Sequence, residues 1–259
     1  MFKPNTSKSQ SLDRALDLLE MLTKTGTSVN IAEISKMFKI TRTTASSMLQ
    51  SLVQRNYIEK DAETGKYSIG YKAYEMALAY RYQYPFLYVA GEHIGKVVEK
   101  MKIKINVSVL KPPGVAVVVL SKDVSDIPKM ILGYVLPGYA SASGKLLLAY
   151  TSRETTEHWL DSTTFIPYTS QTLTDKKSVL KQLDQIKTQG FSYEFEELLL
   201  QRACVAAPIY NISGNVIASV SFSVSKERMD TNMALLTENI ILLGNSISST
   251  LGYNHIMYR

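Results

Sequence analysis

Along residues 11–24, apolar side chains recur at Leu12, Ala15, Leu16, Leu19 and Leu22, the three-and-four spacing of a helix with one buried side. Gly26 follows it, where a helix commonly ends left-handed. Leu18 and Met21 fall off that stripe, which predicts a second apolar face for a partner subunit or for the next helix. Asn30 precedes Glu33 by three, an N-cap pattern that opens a short helix with Ile31, Ile34 and Phe38 on its apolar side. Lys39 and Ile40 form a tight turn. Residues 41–54 then place Ala45, Met48, Leu49, Leu52 and Val53 on one face and Thr43, Ser47, Gln50 and Gln54 opposite, with Thr41 as N-cap and Arg42 in the first turn. Residues 57–60 and 66–69 read as two short strands around the turn sequence at 61–65.

A short helix, a tight turn and a second helix with a polar outer face make a helix-turn-helix, and the strand pair adds a wing. Hydroxyls and amides that both donate and accept suit base edges and phosphate oxygens. The reading therefore expects Thr41, Arg42, Thr43, Thr44, Ser46, Ser47 and Gln50 to meet operator DNA. Lys8, Arg14 and Lys66 are expected on phosphates, from the arm, the first helix and the wing.

Residues 71–84 read as one more helix, and Pro85 marks a boundary. The expected organisation is a winged helix-turn-helix at 1–70, a linker helix at 71–85 and a second domain at 86–259. That domain opens with a helix at 86–102 carrying Ala90, Ile94, Val97, Val98 and Met101. Next, Ile103, Ile105, Val107 and Val109 alternate with polar residues, residues 111–114 turn the chain, residues 115–120 form an apolar strand, and 130–135 a third. At 136–145 small residues lead into a helix at 143–151, whose first amides can hold an anion. Helices follow at 153–160 and, from an N-cap at Thr174, to Gln189. Strands return at 191–196, 204–210 and 216–222, the last two joined by a hairpin turn at 211–215, and a helix at 230–251 closes the pattern. This order describes an α/β sensor module with a central sheet.

Composition narrows the class. The chain has 259 residues, 45% hydrophobic and 20% charged, ordinary for a globular protein of two domains. No apolar run approaches membrane-spanning length and no charged-then-apolar leader opens the sequence, so a cytoplasmic protein with no membrane association is expected. One cysteine and three scattered histidines make neither a disulfide nor a zinc-ligand spacing, and no metal or cofactor is implied. The net charge is +6. Residues 1–83 hold 12 Lys and Arg against 8 Asp and Glu, so the excess concentrates on the part that carries the helix-turn-helix.

With both halves in view, the chain resembles the IclR family of bacterial transcriptional regulators over nearly its whole length. The matching residues include Leu12-Asp13-Arg14-Ala15-Leu16, Ile31-Ala32-Glu33-Ile34, Thr43-Thr44-Ala45 and Leu49-Gln50-Ser51-Leu52. They continue as Gly65-Lys66-Tyr67-Ser68-Ile69-Gly70, Ala140-Ser141-Ala142-Ser143-Gly144-Lys145, Cys204-Val205-Ala206-Ala207-Pro208 and Ser221-Phe222-Ser223. The resemblance implies an α+β chain of two domains: a winged helix-turn-helix, a linker helix and a GAF-like α/β domain. That domain would bind a small effector, an organic acid or aromatic metabolite, in a homodimer or homotetramer. It implies an effector pocket lined by Tyr139, Ala140, Ser141, Ala142, Glu194, Cys204, Ser221 and Ser223. Three positions depart from the family's usual residues: Tyr139 stands for His, Glu194 for Asp and Gln201 for Gly.

Two other classes compete. An enzyme would use Cys204 as nucleophile with His158 or Glu194 as base, but the apolar strand pattern around Cys204 favours an inert thiol. A sensor acting only through protein contacts would leave the outer face at 41–54 idle.

Overall fold

A computed structural model of the protein describes residues 9–111, 114–120 and 135–254, divided into two compact units at Tyr84 and Pro85. Lys8, the centre of the turn at 111–114 and most of the expected strand at 130–135 lie outside the described residues.

In the first unit, α1 (Gln10–Thr25), α2 (Ile31–Phe38) and α3 (Arg42–Gln54) surround one apolar cluster. The expected face of α1 is corrected in part: Leu22 is buried and Leu19 packs against the cluster as expected, but Leu18 joins them against Ile34, Ala45, Leu49 and Ile58, while Leu12 and Leu16 are 57% and 49% exposed. Periodicity alone cannot rank two apolar stripes on one helix; the partners on α2 and α3 choose. The Asn30 carboxamide accepts from the Ala32 and Glu33 N–H groups at 2.9 and 3.0 Å, and Glu33 accepts from the Asn30 N–H at 2.7 Å. This reciprocal cap satisfies donors that a helix start leaves over. Lys39, left-handed at φ 51°, then turns the chain into α3.

The wing is β1 (Ile58–Lys60) paired antiparallel with β2 (Tyr67–Ile69). Asp61 holds its turn by accepting from the Glu63 and Thr64 N–H groups and the Thr64 hydroxyl. Next, α4 (Tyr71–Gln83) is tied to the wing base. Gly70 and Lys72 donate their N–H groups to the Tyr57 and Asn56 carbonyls at 2.9 Å, and Tyr71 donates to the Glu59 carboxylate at 3.1 Å. A Cβ on Gly70 would stand 2.4 Å from the Asn56 oxygen, so only glycine allows this approach. Helix α4 buries none of its residues.

The second unit begins with α5 (Phe86–Met101) and, among the described residues, contains a six-stranded antiparallel sheet. Its strands are β3 (Lys104–Lys111), β4 (Gly114–Leu120), β5 (Val135–Pro137), β6 (Ser192–Phe195), β7 (Arg202–Tyr210) and β8 (Val216–Ser225). Their order is β5-β4-β3-β8-β7-β6. Between β5 and β6 come α6 (Ala142–Ala149), α7 (Arg153–Asp161) and α8 (Lys176–Gln189), and α9 (Lys226–Thr250) follows β8. Two helix starts differ from expectation. Asp175, not Thr174, caps α8, because its carboxylate reaches the Ser178 N–H at 2.8 Å. Helix α9 begins at Lys226 rather than near 230, and a non-helical Asn232 interrupts its first turns, which breaks the apolar period there.

One face of the sheet, with Ile105, Val107, Val205, Ala207, Val220 and Phe222, packs on α5 and α9. The other face carries the alternating polar residues of β3. These residues, Lys104, Asn106 and Ser108, are buried. Helix α6, buried along its whole length, covers this polar face and touches β6, β7, β8 and β3, with α8 behind it. Among the described residues, no helix is long and apolar enough to cross a membrane.

Candidate functional site

Two surfaces carry chemistry. On α3, burial of Ala45 and Leu49 turns Arg42, Thr43, Thr44, Ser46, Ser47 and Gln50 outward, all exposed. Thr41 Oγ1 accepts from the Thr44 N–H at 3.2 Å and shares a hydrogen bond with the Thr44 hydroxyl at 2.9 Å, so these two are partly committed to the cap. Arg42, Thr43, Ser46, Ser47 and Gln50 carry no side-chain partner among the described residues. Lys66 is exposed beside the wing turn, and Arg14 is half-buried on α1.

The second surface is the polar face beneath α6. Lys104 pairs with Ser223, Ser223 with Cys204 and Cys204 with Glu194, one row across four strands. Directly paired residues of antiparallel strands point to the same side. The next row on that side is Asn106, Ser221, Ala206 and Ser192, and the third holds Ser108, Ser219 and Pro208. At about 3.3 Å per residue, these rows span ~13 Å. Four expected residues, Glu194, Cys204, Ser221 and Ser223, therefore share one face. The Ser192 hydroxyl donates to the Ala142 carbonyl at 2.6 Å and brings the start of α6 over the second row.

That helix start follows a tight turn. Gly144 packs against Gly138 so closely that a Cβ would lie 2.4 Å from its oxygen, and Ser141 caps the helix by accepting from the Gly144 N–H. The Ser141 hydroxyl also donates to the Pro137 carbonyl at 2.8 Å, which commits it to the turn. The amides of Ala142 and Ser143 open the helix with its positive end. Tyr139, which the resemblance also places at the pocket, has its hydroxyl committed to backbone. Its hydroxyl donates to the Ile166 carbonyl at 3.0 Å and accepts from the Ile166 N–H at 2.7 Å, and its ring packs on Phe165. It packs in the apolar cluster of Leu146, Leu148, Trp159 and Leu160 beside the turn.

Burial sets the electrostatics. Glu194 is raised above the usual glutamate range by burial, opposed by N–H donation from Leu198 and Glu197. Burial, then the neighbouring Glu194, pushes the Cys204 thiol up to about 12; the sulfur is densely surrounded although the residue keeps some exposure. Such a thiol is protonated at neutral pH and a poor nucleophile. Lys104 is lowered by burial and then by Arg202, and Arg202 is lowered by burial. Behind α6, buried Lys145 forms an ion pair with Glu197 and donates to Gln182 at 2.9 Å.

Sequence reasoning missed Lys104, Asn106, Ser108, Ser219 and Arg202. Asn106 Oδ1, Ser108 Oγ and Ser219 Oγ are buried with no partner among the described residues. The available signal was strand parity: these residues keep step with Cys204, Ser221 and Ser223.

Comparison with known proteins gives these surfaces a context. Residues 83–249 match the family model of the bacterial transcriptional regulator IclR C-terminal domain, and residues 11–62 match the IclR helix-turn-helix domain. The regulator XynR of Escherichia coli strain K12 is 27% identical over 246 residues, 94% of this chain and 98% of that protein. The repressor AllR of Salmonella paratyphi A is 27% identical over 254 residues, 96% of this chain and 93% of that one. Among solved structures, Thermotoga maritima IclR superposes with a TM-score of 0.80 at 21% identity, covering 94% of this chain and 99% of that one. An IclR homologue from Microbacterium hydrocarbonoxydans, solved with 4-hydroxybenzoate, has the same TM-score and identity over 93% and 99%. With a family match over most of its length, an N-terminal helix-turn-helix and a C-terminal α/β domain, the chain belongs to the IclR family of DNA-binding bacterial transcriptional regulators.

Proposed function

We propose that residues 1–70 bind operator DNA, that residues 71–85 link them to the rest of the chain, and that residues 86–259 bind a small organic acid on the polar sheet face. Arg42, Thr43, Ser46, Ser47 and Gln50 read base edges, Thr41 and Thr44 fix the start of α3, and Lys8, Arg14 and Lys66 neutralise phosphates. The effector lies against Glu194, Cys204, Ser221 and Ser223, with an anionic group at the amides of Ala142 and Ser143 and the turn of Ala140 and Ser141. The observation that carries this reading is the buried polar face itself: Asn106, Ser108 and Ser219 present polar atoms that lack a protein partner. Unmet buried polar groups are costly unless something fills them. The relative solved with 4-hydroxybenzoate supports an organic acid as the class.

The protein acts as a cytoplasmic homodimer or homotetramer and as a repressor, as its relative AllR is described. Exposed Leu12 and Leu16 on α1, and Tyr71, Tyr74, Met76 and Tyr80 on α4, are apolar surface for subunit contact. Cys204 is no nucleophile, since its thiol stays protonated. Isothermal titration of the full chain with a panel of organic acids tests the pocket. Ligands are expected to bind the parent and to be lost on Ser221→Trp; an acid whose affinity survives that change sits elsewhere.

A further inference from the structure

Two basic side chains stand at one end of the polar face. Lys104 pairs directly with Ser223, and Arg202, two residues before Cys204 on β7, projects from the same side. The Arg202 Nη2 donates to Ser223 Oγ at 3.0 Å, so Lys104 and Arg202 flank a single hydroxyl. Lys104 is only 7% exposed and Arg202 is half-buried. Among the described residues, no carboxylate lies within ion-pair distance of Arg202. Glu194, the acid of that row, spends one oxygen on the N–H groups of Glu197 and Leu198 at 2.5 and 3.2 Å.

Like charges brought together in a dry place raise each other's energy, and an arriving anion relieves both. The directions agree: both cations sit below their usual ranges and Glu194 above its own, toward the neutral form. The start of α6, over the row of Ser192 and Ser221, is a separate place for an anion. Buried Asn106, Ser108 and Ser219, unpartnered among the described residues, offer hydrogen bonds along the same face.

We propose that Lys104 and Arg202 form a second anion subsite, so that the effector is a small dianion rather than a monoacid. The inference rests on the pocket reading above. One negative group meets the α6 amides, the other sits between the two cations, and the serine and asparagine rows hold the chain between them. A dicarboxylate and a phosphorylated small acid share this chemistry.

The test titrates the full chain by calorimetry with butyrate against succinate, valerate against glutarate, and glycerol 3-phosphate. Parent, Lys104→Gln, Arg202→Gln and Ser221→Trp are compared, with Lys104→Arg and Arg202→Lys as charge-keeping controls and circular dichroism to verify folding. Each diacid is expected to bind the parent about tenfold or more tightly than its monoacid partner, as an added charge-assisted contact provides. The preference is expected to vanish in the Gln variants and persist in the charge-keeping ones. Tightest binding by glycerol 3-phosphate would identify phosphate as the second group. Equal affinity for monoacids and diacids overturns the dianion assignment while Ser221-dependent binding keeps the pocket. A diacid preference unchanged by both Gln variants likewise overturns it. Binding indifferent to Ser221→Trp overturns the pocket itself, and no binding by any of the five acids overturns the proposal.

Discussion

Replacing Lys145 by Met tests how the effector unit is held together. Lys145 has no exposed surface, and its ammonium meets the carboxylate of Glu197, itself nearly buried, and the carboxamide of Gln182. The second Glu197 oxygen has no partner among the described residues, so the carboxylate depends on Lys145. Removing one member of a buried pair leaves an uncompensated charge and typically costs ~3–5 kcal/mol, whereas replacing both by apolar or neutral groups is far milder. For a domain of this size each kcal/mol moves the melting temperature by roughly 2–4 °C, so Lys145→Met is expected to lower that of the effector unit by about 6–20 °C. Glu197→Gln in the same chain removes the stranded charge and is expected to recover at least half of the loss. The effect also reaches the site, because the Glu197 N–H is a donor to Glu194 and the Glu197 carbonyl accepts from the Thr172 hydroxyl at 2.5 Å. Differential scanning calorimetry on the parent, both single variants and the double variant gives the coupling directly. A Lys145→Met protein within about 1 kcal/mol of the parent, or a double variant as unstable as the worse single one, would refute the account.

Gln201 stands left-handed at φ 61°, where a side chain is strained, so Gln201→Gly is expected to raise stability by about 0.5–1 kcal/mol in urea unfolding; a loss would place a necessary contact on its side chain. Asn30→Ala removes the acceptor for two N–H groups and is expected to lose about 1 kcal/mol, read from the same unfolding curve. Glu194 has a raised pKa from burial, so the folded state disfavours its ionised form: the parent is favoured fully below the ordinary glutamate range, and that advantage falls as pH rises through the raised value. The stability of the parent minus that of Glu194→Gln is therefore expected to decline from about pH 4 upward; a difference that grows with pH contradicts the burial argument.

The helix-turn-helix was legible in the sequence because its signals are local. The stripe of α3, the Asn30 cap and the Asp61 turn each lie within a few residues. The face of α1 was not, since its two leucine stripes are distinguished only by contacts with α2 and α3. In β3, alternation reads the same whether the polar side meets water or a covered cleft; α6, more than thirty residues on, decides. Tyr139 illustrates the same limit, its hydroxyl being claimed by the backbone of Ile166, 27 residues away. Four expected pocket residues did fall on one face because strand parity is a short-range property once the pairing is known.

The central claim is that the outer face of α3 reads DNA sequence, and selection of binding sites from a random duplex pool by the full chain tests it most directly, with Arg42→Ala and Thr43→Ala run beside the parent. The account predicts one enriched motif for the parent, bound at least about 10³-fold more tightly than scrambled duplex at the same salt. Each variant should lose ~1–3 kcal/mol and relax preference at its own base position. No enriched motif, or the same motif bound with unchanged affinity by both variants, would contradict it.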